Sequence, residues 1–243
     1  MSKNANYRSL YGFVCIVCII ALYCACFYEL HVVASSGKYE TTLANATPKT
    51  IVLDAGHGGE DSGAIGFGDV FEKDLNLEIS FKLGEYLKNA GYTVIYTRTD
   101  DKLLYTEEQN IKGMRKINDL KNRINIANSY SDAIFVSIHM NSYGASSCSG
   151  LQVYHGVGNE DAKRIADCVQ NEVVKRIQPK NRRKIKSGDG IYLLENSINP
   201  AILIECGFLS NPEECKKLSE KEYQKELSFA ILCGMIEYIG YAS

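Results

Sequence analysis

Four side chains able to bind a metal or move a proton sit at or near the ends of short apolar runs. His57 follows Ile51-Val52-Leu53-Asp54-Ala55-Gly56, and His139 follows Ala133-Ile134-Phe135-Val136-Ser137-Ile138. Glu205 closes Ala201-Ile202-Leu203-Ile204, and Glu72 follows the first run by a short loop. Such runs read as buried strands, and ligand sites of open α/β sheets lie at the carboxyl ends of their strands. If these ends converge, two imidazoles and one carboxylate make an ordinary catalytic zinc set with one position left for water. The second carboxylate is then available as general base. A plainer reading competes: satisfied histidines in turns, and an acid at Glu72 favoured by the dipole of a helix start. Two other chemistries fit poorly. Gly56-His57-Gly58-Gly59-Glu60 lacks both the Lys-Ser/Thr of a phosphate-binding loop and the GxGxxG spacing of a dinucleotide loop. Cys206 adjoins Glu205, but strand alternation turns it to the opposite face.

The elements that must position these residues alternate. The strand at 51–55 leads to an amphipathic helix with Leu75, Ile79, Leu83 and Leu87 on one face, ended near Gly91. A strand at 92–97 follows, then a long polar stretch and a helix over Lys116–Asn128 with Ile117, Leu120, Ile124 and Ala127 on one face. After the strand into His139 come a half-buried strand at 151–155, a helix over 160–177 and the basic loop Lys180–Lys186. Ile191–Leu194 reads as a short strand or extended piece. The strand into Glu205 is followed by a short helix with Pro212 at its start and a last helix near 222–239. This order predicts an α/β fold: one domain, a mainly parallel central sheet and helices on both faces.

The 243-residue chain has a net charge of −2, which argues against nucleic acid as a partner. Lys3 and Arg8 precede an uncharged run from Leu10 to Phe27, so residues 1–34 read as a signal peptide or an uncleaved membrane anchor. Any membrane contact is expected through that segment alone. Residues 35–49 read as a polar tether and 50–243 as the catalytic domain. The body's cysteines, Cys148, Cys168, Cys206, Cys215 and Cys233, are odd in number and show no disulfide spacing.

The ordered blocks Ile51–Gly59, Glu72–Leu77, Thr97-Arg98, Arg123–Asn128, Ser137–Asn141 and Ile204–Asn211 resemble the zinc-dependent N-acetylmuramoyl-L-alanine amidases of the amidase 3 type. The short apolar amino terminus, a single catalytic domain, the absence of wall-binding repeats and the segment Gly113–Arg123 look most like the germination-specific, spore-cortex subgroup. The resemblance implies zinc held by His57, Glu72 and His139, with Glu205 as the catalytic carboxylate. It implies hydrolysis of the amide between the lactyl group of N-acetylmuramic acid and L-alanine of the stem peptide, leading towards muramic-δ-lactam. Peptidoglycan is the expected substrate, an activating or regulatory protein a candidate partner, and the cell envelope around the forespore the expected location. Cys206 and the Met140-Asn141-Ser142 context depart from the commonest family choices, with an expected effect on packing or rate.

Three further residues carry open alternatives. Asp54 is either a partner for a ligand histidine or a turn cap. Asn141 either hydrogen-bonds substrate or is a turn residue after a strand. Arg123, on a helix, is expected to tie down a carboxylate or strand end. Two other functions compete with the amidase: a zinc peptidase or deacetylase acting on another wall bond, and a non-catalytic wall-binding scaffold.

Overall fold

The computed structural model describes residues 50–242, with side chains through 240. The expected export segment and tether lie outside the described residues. β1 (Thr50–Ala55) leads through a glycine-rich loop to α1 (Glu72–Asn89), and β2 (Thr93–Tyr96) follows. A 3-10 turn at Glu107–Gln109 breaks the polar stretch before α2 (Arg115–Asn128) and β3 (Ala133–Asn141). Then come β4 (Gln152–His155), α3 (Glu160–Arg176), β5 (Lys186–Ser187) and α4 (Tyr192–Glu195). β6 (Ala201–Phe208), α5 (Pro212–Ser219) and α6 (Lys221–Ala242) complete the chain.

The six strands form one sheet in the order β2-β1-β3-β6-β4-β5. Every pairing is parallel except β4 with β6. Strand alternation divides the core into two layers. Ile51, Leu53, Ile138, Ile204 and Cys206 pack with Ile79, Leu83 and Leu87 of α1, and with α3, α5 and α6. Val52, Phe135, Ala201 and Leu203 pack against Ile124 and Ala127 of α2 and Leu193 and Leu194 of α4. Each such fully buried aliphatic side chain stabilises the fold by roughly 1.5–3 kcal/mol relative to exposure. Among the described residues, no helix is long and apolar enough to cross a membrane.

Two local expectations are corrected. Tyr192–Glu195 is one helical turn, and the strand of this region is instead Lys186–Ser187, inside the basic loop. A run as short as Ile-Tyr-Leu-Leu has no periodicity to separate helix from strand. Ile117 is 43% exposed, off the buried face of α2, whose deepest polar residues are Asp119 and Arg123.

Candidate active site

β1 and β3 are neighbours in parallel register, as are β3 and β6, with His139 directly opposite Glu205. The carboxyl ends of β1, β3 and β6 therefore meet, and α1 starts at Glu72 beside them. His57 Nε2 lies 3.2 Å from Glu72 Oε1, and His139 Nδ1 lies 2.9 Å from the same oxygen. One ligating atom from each of the three falls within 4.8 Å of the others. Among the described residues this is the one such cluster of three or more acidic, histidine or cysteine side chains.

Glu72 is held from several sides. Its Oε1 accepts from the Met140 amide (3.0 Å) and its Oε2 from the Ala64 amide (2.8 Å). Asn76, one helical turn on, donates from Nδ2 to Gly56 O at 3.1 Å. Burial would raise the Glu72 pKa, but the two histidines override it and keep the carboxyl far below its usual range. Burial likewise works against a charged His57, yet Asp61 and Glu72 lift its pKa to about 9. His57 Nδ1 lies 2.9 Å from Asp61 Oδ2, an ion-pair distance at an angle short of a hydrogen bond, so it is the Asp61 charge that steadies the ring from behind.

Two glycines make room for this cluster. A Cβ on Gly56 would come within 2.2 Å of the His139 ring, and one on Gly63 within 2.5 Å of Glu72 Oε2. Gly56 and Gly63 thus serve close packing of the candidate ligands, whereas Gly58 and Gly59 face the backbone of Lys102 and Leu103.

His57 itself has φ 61°, a left-handed backbone for a residue with a side chain. Such a conformation costs roughly 1–2 kcal/mol and persists only when neighbours enforce it. Two buried arginines do so by taking the carbonyls of the turn. Arg123 donates to Ala55 O (2.6 Å) and His57 O (2.7 Å). Arg98 donates to Ala55 O (2.8 Å) and Gly56 O (3.0 Å). Arg123 is in turn fixed by Asp119 (2.7 Å) and Asp54 (2.8 Å).

Asp54 therefore fills neither expected role. Its oxygens accept from Thr97, Ser137 and Arg123, and it contacts no histidine. Its alternation places it on the α2 side of the sheet with Val52, where Arg123 links it to the His57 carbonyl. Complete burial opposes its charge, but Arg123 and the two hydroxyls hold its pKa below the ordinary value. Arg123 ties down both a carboxylate, Asp54, and the strand end at Ala55. Asn141 ends β3, where its carbonyl accepts the Leu209 amide at 2.8 Å. Cys206 is fully buried in the apolar layer, on the face opposite Glu205.

Glu205 is the other distinctive group. Its Oε2 is buried and has no hydrogen-bond partner among the described residues. Burial raises its pKa, the charge of Glu72 adds to that, and the histidines oppose it. A carboxylate with an unspent oxygen next to a candidate metal-binding triad can exchange protons with groups held there.

The Amidase_3 family model, described as N-acetylmuramoyl-L-alanine amidase, matches residues 51–237. The chain belongs to the Amidase_3 family. The amidase is 37% identical over 190 residues to the germination-specific N-acetylmuramoyl-L-alanine amidase of Bacillus subtilis (strain 168), covering 78% of this chain and 79% of that one. It is similar to the CwlD amidase of Clostridioides difficile, solved in complex with the GerS lipoprotein, with a TM-score of 0.77 and 42% identity. That match covers 79% of this chain and 99% of the other. An N-acetylmuramoyl-L-alanine amidase from Clostridium difficile 630 matches with a TM-score of 0.69 at 32% identity, over 82% of this chain and all (100%) of that one.

The expected family, fold class and enzyme class are borne out: this is an α/β N-acetylmuramoyl-L-alanine amidase acting on peptidoglycan. Asp61 and Arg98 join the site without a place among the candidate residues read from the sequence. Asp61 lies in an irregular loop, joined back to the turn by a bridge between Gly58 and Asp61, which no periodicity announces. Arg98 follows a strand end just as the candidate ligands do, and that position is the available signal.

Proposed function

We propose that the amidase is zinc-dependent, with His57, Glu72 and His139 as ligands and Glu205 as general base and acid, and that it acts on spore cortex in muramic-δ-lactam formation. The observation that carries the metal reading is the donor set: two imidazoles and a buried carboxylate with ligating atoms within 4.8 Å of one another. Two histidines and one glutamate suit zinc with a position left open. When bound, zinc supplies Lewis acidity to the lactyl carbonyl and to the attacking water.

Glu205 takes the water's proton and delivers it to the alanine nitrogen as the carbon–nitrogen bond breaks. Burial raises its pKa, which favours the protonated form it must take between accepting one proton and releasing it. Asp61 keeps the His57 ring in place, and the two arginines keep its backbone in place. The products are a glycan strand bearing a free lactyl carboxylate and a stem peptide with a free alanine amine.

Support for the spore role comes from similarity to the germination-specific amidase of Bacillus subtilis. The CwlD amidase is solved with a lipoprotein, which supports a regulatory protein partner here too. In this reading, residues 1–34 export the chain or anchor it, and it works in the forespore envelope. Spores formed without this protein should lack muramic-δ-lactam when their cortex is digested and separated. A normal lactam content in those spores would count against the cortex assignment.

A further inference from the structure

The basic loop from Lys180 to Lys186 has no part in the chemistry described above, yet it runs beside the site. Gln152 stands opposite Glu205 in the β4–β6 register. On its other side, Gln152 Nε2 donates to Lys184 O at 2.7 Å, and its Oε1 accepts from Arg183 Nη1 at 3.3 Å. Arg183 is held further by its Nε, which donates to Ser149 O at 2.9 Å, and by stacking 4.4 Å from the centroid of the Phe208 ring. Phe208 lies three residues beyond Glu205 on β6. The Tyr154 hydroxyl lies in the field of both groups: burial and the Glu205 charge raise its pKa, and Arg183 lowers it.

The guanidinium is thus fixed on three sides but paired with no carboxylate among the described residues. The acid beside it, Glu214, accepts from the Gly150 amide (2.9 Å) and the Phe208 amide (2.8 Å). Four basic side chains, Lys180, Arg182, Arg183 and Lys217, and two acidic ones, Glu213 and Glu214, line one groove of about 900 Å³, which leaves it cationic on balance. A fixed, unpaired guanidinium fork matches a carboxylate, and little side-chain freedom remains to be lost on binding.

Position sets which carboxylate. The guanidinium reaches back across β4 to the Phe208 ring, three residues beyond Glu205 on β6, and three residues of extended strand span roughly 10 Å. An extended peptide advances roughly 3.3–3.6 Å per residue. We propose that Arg183 and its groove form a carboxylate subsite for the stem peptide, receiving an acidic residue two to three places beyond the cleaved amide. The inference rests on the amidase reading and makes Arg183 a specificity-determining residue.

The test compares two glycan fragments, one with free stem-peptide carboxylates and one with the same carboxylates amidated. Wild-type enzyme should prefer the free acids by about tenfold or more in kcat/KM, mostly through KM, as a charge-assisted hydrogen bond implies. In Arg183→Gln that ratio should fall to near one, with Arg183→Lys between. A ratio near one in the wild type overturns the subsite, whatever the variants do. So does a ratio that stays near tenfold in Arg183→Gln. The released products are identified in the same chromatograms, so cleavage at a bond other than lactyl–alanine would defeat the amidase reading separately from the ratio.

Discussion

Glu205→Gln should bind zinc at about one ion per chain, as the wild type does, and turn over peptidoglycan about 10²–10⁴-fold more slowly, the range supplied by a positioned general acid–base group. The change keeps the shape of the side chain and removes its ability to carry the proton. Glu205 lies outside the triad that groups His57, Glu72 and His139, so metal content separates its role from theirs. His139→Ala removes an imidazole from that triad and should lose both metal and activity. Metal analysis beside a product assay reads the two effects. Substantial turnover in Glu205→Gln would remove the proton-transfer assignment, and zinc retained in full by His139→Ala would remove that ligand.

Arg123→Met should be the most damaging substitution for the fold, at about 3–5 kcal/mol, the usual consequence of breaking a buried ion pair from one side. Arg123 is 1% exposed and Asp54 0%, so the change strands a carboxylate with only the Thr97 and Ser137 hydroxyls as donors. It also releases the carbonyls of Ala55 and His57, and activity should fall with stability. The Asp54→Asn/Arg123→Met double variant should lose less than the sum of the singles, because Asp54 no longer leaves a charge stranded, although Asp119 still loses its partner. The pH dependence has a definite sign. The folded Asp54 pKa lies below its unfolded value, so its contribution is complete above about pH 4 and is lost as pH falls further. Denaturant titrations at several pH values should show a steep acid limb in the wild type and a shallower one in Asp54→Asn. An Arg123→Met protein within about 1 kcal/mol of wild type would show that the clamp is dispensable.

The contrast between these two residues explains what the sequence discloses. Apolar runs ending in His57, His139 and Glu205 can be read directly, because parallel strands bring their carboxyl ends to one edge and period-two alternation fixes which residues share a face. Glu72 is readable as a helix start, and its place in the cluster follows once that helix packs against β1 and β3. The partners of the site are harder. Asp54 looks like a support for a histidine because it precedes one by three residues, but the partners of a buried carboxylate come from distant elements, here Thr97, Arg123 and Ser137. Asp61, which does orient His57, sits four residues on in a loop whose path depends on glycine backbone angles. Only the assembled turn shows that its carbonyls need two guanidinium groups.

Product analysis on intact peptidoglycan tests the central claim most directly. The purified enzyme should release stem peptides with a free amino-terminal L-alanine and leave glycan strands whose N-acetylmuramic acid carries a free lactyl carboxylate. Glycan fragments that still bear L-alanine, with cleavage at any other bond, would contradict it.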